Sequence, residues 1–287
     1  MAAAGLCAAG LLASCSSSNE RDENTIAFAV TDLQGLEELQ REFGAFKTTL
    51  EEVSGLTVEF YPVSDRTVAA AALQTGDIDI VFTGPAEYVV IHEKTDAEPV
   101  VSIRRDGYRS CLYAKADSGI NAVSDLSGRK VAMSDVGSTS GHLGPSQLLV
   151  DAGLTPGDNV EVVMAGDAVH QALLRDDVAA VGIGCHDYEE FMDEESDPNA
   201  FTLLEQGELL PPDVIMARGD LDESKRAAVE AAFTEHFDEL LTAMLAGKDN
   251  AKYENAELVV TTDADYDVAR QLYRAIGVTE FSEFVGE

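Results

Sequence analysis

The sequence predicts an α/β protein of two lobes, each a mostly parallel sheet flanked by helices, and three observations carry that expectation. Short apolar runs alternate with stretches of helical periodicity, the pattern of interleaved strands and helices. Several of the runs are uniformly apolar instead of apolar at every second position, as strands covered on both faces require. The chain has 287 residues, 45% of them hydrophobic, enough for two cores of ordinary size.

The strand-like runs are residues 26–30, 57–61, 78–82, 130–134, 160–164 and 179–183. A helix is expected over 67–75, and amphipathic helices over 223–245 and 265–276, packed on the first lobe. The first lobe is drawn at 25–112 together with 212–287, and the second at 113–211. The chain then crosses between lobes twice, near 111–116 and again near 209–215, where Pro211-Pro212 forces an extended path.

The segment 125–141 is the most informative. A buried strand delivers a small-residue turn directly into a helix start. Gly137 and Gly141 permit close backbone approach, Ser138, Thr139 and Ser140 offer hydroxyls, and the unpaired N–H groups of the following helix point the same way. Such a turn suits a phosphate-like oxyanion. The same residues also read as a Ser/Thr-rich helix cap, and context must decide between the two.

That context is a resemblance. Gly107-Tyr-Arg-Ser110, Ala116-Asp-Ser-Gly119, Asp125-Leu-Ser-Gly128 and Ser138-Thr-Ser-Gly141, with Gly76-Asp-Ile-Asp79 and Phe82-Thr-Gly-Pro-Ala-Glu-Tyr88 upstream, resemble the phosphate/phosphite/phosphonate-binding proteins of ABC importers in order and spacing. The resemblance runs from about residue 25 to the C-terminus. It implies a type II periplasmic-binding-protein clamp that captures a phosphorus oxyanion between its lobes and presents it to an ABC permease and its ATPase. It also implies a ligand contact at Tyr88, beside the tight turn of Thr83 and Gly84, with a core tyrosine as the alternative reading. Two departures stand out. Arg66 occupies a position where relatives carry an aromatic residue; it could clamp two ligand oxygens or pair at the surface with Asp65. At Met164-Ala-Gly-Asp167, Gly166 replaces a histidine that contacts the ligand in relatives. Asp167 is retained, His170 lies one helical turn beyond, and His186 with Asp187, after a strand end, are rivals for the vacated role.

The N-terminus reads as an address. Residues 1–15 are uncharged and end in Leu12-Ala-Ser-Cys15, which resembles a bacterial lipobox with Cys15 as the lipidated residue and 16–24 as a polar tether. No Lys or Arg precedes the apolar stretch, a departure from a secretory leader. On this reading the protein is extracytoplasmic, held at the membrane by its lipid alone, and monomeric. Of the remaining cysteines, Cys111 and Cys185 are read as two free buried thiols, with a disulfide as the alternative.

With 19 basic against 53 acidic side chains, the net charge is −34. Such a surface suits a salt-rich environment and would repel nucleic acid. No catalytic constellation, P-loop or dinucleotide fingerprint is legible, and neither histidine nor cysteine spacing suggests a metal. The expected role is binding without chemistry, a cofactor or a metal. Another small anion or zwitterion is the alternative ligand, and an enzyme on the same architecture the alternative class.

Overall fold

A computed structural model describes residues 22–285. The expectations for the leader, Cys15 and most of the tether lie outside the described residues. Two sheets carry the fold. The first has the order β11-β4-β10-β3-β1-β2 and the second β7-β6-β8-β5-β9. In the first sheet β1 (Thr25–Val30), β2 (Thr57–Phe60) and β3 (Ile80–Thr83) pair in parallel, and β4 (Glu98–Arg104) runs the same way. β10 (Asp213–Ala217) inserts antiparallel between β3 and β4, and β11 (Glu257–Val259) closes the edge antiparallel to β4. In the second sheet β6 (Lys130–Met133), β7 (Glu161–Met164) and β8 (Ala180–Gly184) are parallel. β5 (Ser110–Lys115) alone runs against the others, between β8 and β9 (Phe201–Gln206).

Both sheets are mostly parallel and covered on two faces, and the sequence shows why. In β1, Ile26, Phe28 and Val30 enter one core while Ala29 enters the other, so period 2 distributes a continuous apolar run to two buried faces. One face packs on α1 (Leu36–Ser54) and α7 (Glu223–Met244), where Phe28, Phe43, Phe46, Phe82 and Phe233 form a chain of aromatic contacts with centroids 5.6–6.1 Å apart. The other face takes α2 (Val68–Thr75), α3 (Pro85–Lys94) and α8 (Asp267–Ala275). Leu143 of the second lobe is buried in that same core and fastens the lobes together. The second sheet is sandwiched between α4 (Gly144–Asp151) on one side and α5 (Val169–Leu174) with α6 (Cys185–Glu194) on the other.

The expected free thiols are a disulfide, Cys111–Cys185. The cause is topological. β5 and β8 are antiparallel neighbours with Ser110 opposite Gly184, which brings the two Cα atoms to 4.9 Å, inside bridging range. The strand adjacency that pairs them is not visible in the spacing of 74 residues. Near the bridge, the two crossing segments run side by side: Gly207 N–H donates to Ser110 O at 2.8 Å and Leu210 N–H to Tyr108 O at 2.9 Å.

Candidate functional site

A cleft of about 440 Å³ opens between the lobes, lined by strand ends and turns of both sheets. Its most distinctive wall is the turn after β6. Ser138 caps a π-helical turn, Thr139–Leu143, by accepting the Gly141 N–H at 3.2 Å. Gly141 must be glycine, since a Cβ there would lie 1.9 Å from Ser134 Oγ. Beneath the turn, His142 Nδ1 accepts the Gly137 N–H at 3.1 Å, which requires an unprotonated ring nitrogen. Burial lowers the His142 pKa to about 4 and keeps that nitrogen free. Among the described residues the N–H groups of Thr139 and Ser140 have no acceptor, and both residues line the cleft, the Thr139 hydroxyl accepting from the first lobe and the Ser140 hydroxyl bonded to Tyr108.

Opposite stands the N-terminus of α3, capped by Gly84. Ala86 N–H donates to Thr139 Oγ1 across the cleft at 3.0 Å, so the two lobes touch at the turn. Arg66 lines this side and is committed to carboxylates. It pairs with Glu87 Oε1 at 2.5 Å and with Asp32, and lies 3.9 Å from Asp135 of the other lobe. Asp32 also takes Lys252; Lys252 first and Arg66 second hold its carboxyl well below the usual range against the cost of burial. On the cleft floor, Arg105 pairs with Asp213 at 2.9 Å and stacks on the Tyr108 ring at 3.4 Å, while Tyr253 donates its hydroxyl to Asp213 at 2.9 Å. Burial raises the Asp213 pKa against the pull of Arg105. Arg105 and Tyr108 sit between β4 and β5, where the chain passes from the first sheet to the second a few residues before the 111–116 expected, next to Asp213 at the start of β10, so the floor of the cleft lies where the chain crosses between the sheets.

Of the residues singled out from sequence, Ser138, Thr139, Ser140, Thr83, Gly84, Arg66, Asp167, His186 and Asp187 all line the cleft. Two do not. Tyr88 is buried in the first lobe, its ring stacked on Tyr266 at 3.8 Å and its hydroxyl donated to Asp263 at 3.2 Å. One helical position earlier, Glu87 takes the cleft-facing side. His170 is buried in the second lobe between the Tyr113 hydroxyl at 3.0 Å and Glu195 at 2.8 Å, with Phe191 stacked on it. It fills the core reading, not the ligand one. Sequence reasoning missed Glu87, Arg105, Tyr108 and Lys252. The only available signal was that Arg105 and Tyr108 flank the Gly107 turn of the crossing segment. Arg66 is not the cleft's one strong cation, since Arg105 and Lys252 line it as well. Among the described residues no three His, Cys, Asp or Glu side chains gather as a metal site.

The description "ABC transporter, phosphonate, periplasmic substrate-binding protein" belongs to the family model that matches residues 28–272. The chain belongs to this family. Its members are solute-binding proteins of ABC transporters. Over 311 aligned positions, covering 96% of each protein, the chain is 27% identical to the phosphate-import protein PhnD of Mycolicibacterium smegmatis. Two solved structures share the fold. PhnD1 of Prochlorococcus marinus in complex with methylphosphonate superposes with a TM-score of 0.68 at 18% identity, covering 88% of this chain and 97% of that one. A binding protein component of an ABC phosphonate transporter from Pseudomonas aeruginosa gives 0.70 at 17% identity, covering 88% and 86%.

Proposed function

We propose that this protein captures a phosphorus oxyanion, whether phosphonate, phosphite or phosphate, in the interlobe cleft and delivers it to an ABC permease and its ATPase. The observation that carries the reading is the Ser138-Thr139-Ser140 turn, where, among the described residues, two N–H groups without an acceptor and two hydroxyls line one cleft. About five charge-assisted bonds at roughly 1.5–3 kcal/mol each meet or exceed the roughly 8 kcal/mol of a micromolar complex, and the excess offsets desolvation and closure. The lobe of β1–β4, β10 and β11 and the lobe of β5–β9 move about the crossing at Arg105 and Asp213, and ligand favours the closed form by touching both. The protein works outside the cytoplasm as a monomer, anchored through a lipidated Cys15; the buried disulfide suits an oxidising compartment.

One observation favours a second reading. Asp187, Glu190 and Glu194 line the second lobe's side of the cleft, a wall suited to a zwitterion with an ammonium group. Calorimetry with phosphate, phosphite, methylphosphonate and aminoethylphosphonate separates the two. Micromolar binding of any member is the expected outcome, preference for the amine favours the second reading, and no binding to any of the four rejects both.

A further inference from the structure

Among the described residues two that line the cleft, Glu87 and Arg105, carry a buried polar atom without a hydrogen bond; Arg105 Nε still lies 2.9 Å from the Asp213 carboxylate, whereas the Glu87 atom is an acceptor with no donor. Glu87 sits in the first turn of α3, only 1% exposed, and it lines the cleft. Oε1 receives Arg66, while Oε2 is fully buried and accepts no hydrogen bond. A buried acceptor left without a donor costs about 1–3 kcal/mol, more when charged. The space next to it is kept open by Gly84. A Cβ there would lie 2.8 Å from Glu87 Oε2 and 3.7 Å from Thr139 Oγ1, so the orphaned oxygen borders the same gap as the oxyanion turn. Thr139 Oγ1 borders this gap from the second lobe, the rest of the Ser138–Ser140 turn lines the same cleft, and the one unpartnered acceptor borders the gap from the first lobe.

We infer that Glu87 accepts a hydrogen bond from a P–OH group of the bound ligand, so that the site selects oxyanions carrying a proton over those fully deprotonated. The inference rests on the phosphorus-oxyanion reading and adds its selectivity. A carboxylate oxygen beside a deprotonated oxyanion meets like charge in a low-dielectric site, whereas a P–OH supplies the donor that Oε2 lacks. The other groups facing Glu87 leave that role to the ligand. Arg66 is shared among Glu87, Asp32 and Asp135 and reaches Oε1 alone. Tyr108, raised to about 12 chiefly by burial, has Ser140 as its hydrogen-bond partner. Tyr273 of α8, also raised chiefly by burial, spends its hydroxyl on Ala86 O at 3.2 Å.

The test is calorimetry on the full chain with three probes. Methylphosphonate loses its only P–OH at its second ionisation, inorganic phosphate keeps one across the neutral range, and sulfate has none. Methylphosphonate affinity should fall about tenfold per pH unit above that ionisation, because only the protonated fraction is competent. Phosphate should not follow, and sulfate should bind at least about a hundredfold more weakly than phosphate. Glu87→Gln keeps an acceptor for Arg66 and offers an amide donor. It should flatten the methylphosphonate profile and narrow the sulfate gap. Sulfate matching phosphate in the wild-type protein overturns the inference without recourse to the variant. So does a methylphosphonate profile in Glu87→Gln that tracks wild type while the variant melts normally. Failure of every phosphorus oxyanion to bind removes the underlying reading instead.

Discussion

Asp32 shows how little a side chain's formal charge says about its part in the cleft. Its carboxylate neutralises both Lys252 and Arg66, so two cations that look available to a ligand are partly spent. His142 makes the converse point, since a neutral ring under the oxyanion turn supports the turn only while unprotonated. Its folded pKa is lowered to about 4 by burial, below an unfolded value near 6.5. Between those values the unfolded chain binds more protons than the native one, so its contribution is complete above about 6.5 and disappears as pH falls toward about 4. We expect a loss of about 3 kcal/mol across that window, measured by urea unfolding at stepped pH and reduced in His142→Asn. A wild-type slope that His142→Asn leaves unchanged would assign the acid sensitivity elsewhere. At this scale, the sequence made legible the residues whose type implies a donor next to glycine, such as Ser138 and Thr139. Tyr88 and Glu87 are adjacent on one helix, and which of them faces the cleft depends on how α3 packs on Tyr266 and Tyr273. No local pattern records that rotation.

Elements were more legible than side chains, because period 2 against period 3.6 is a local property while pairing is not. Each expected strand is present, and the 67–75 helix is realised as α2 with its end at Thr75. The 223–245 helix forms as α7 but carries a kink at His236. The reversal of β5 and β10 was not legible, and it is what brings Cys111 beside Cys185. The bridge fastens the start of the second lobe's crossing strand to the first turn of α6, whose His186 and Asp187 line the cleft, and Cys185 N–H donates to Arg109 O at 2.9 Å in the same corner. Closing a loop of 74 residues restricts the unfolded chain by up to about 4 kcal/mol in the chain-entropy limit. Reduction, or Cys111→Ser with Cys185→Ser, should therefore lower unfolding free energy by about 2–4 kcal/mol. Denaturant curves with and without reductant read this directly. Coincident curves, with reduction confirmed by thiol titration, would show that strand pairing alone holds the corner.

For the molecule as a whole the dominant quantity is net charge, −34 on 287 residues. The local ion pairs do not cancel it. Lys130–Glu161 and Arg175–Asp177 are exposed, and such pairs are worth about 0–1 kcal/mol each. Repulsion among the remaining carboxylates, including Glu189, Asp193, Glu194 and Asp197 around α6, is therefore opposed mainly by solvent ions. The screening length falls from about 30 Å at 0.01 M salt to about 3 Å at 1 M. At the longer distance every carboxylate senses most of the others, and at the shorter one only immediate neighbours. Screening also weakens the favourable pairs, but 53 acidic against 19 basic groups leaves repulsion the larger sum. The melting temperature should accordingly rise from dilute buffer to molar KCl, by about 2–4 °C for each 1 kcal/mol of repulsion removed. Sucrose at matched osmolality separates charge screening from general exclusion of solute, which strengthens burial without ions. A profile flat in KCl, or an equal rise in sucrose, would mean that the acidic surface is already well tolerated in dilute solution. It would then have no bearing on the salinity in which the protein works.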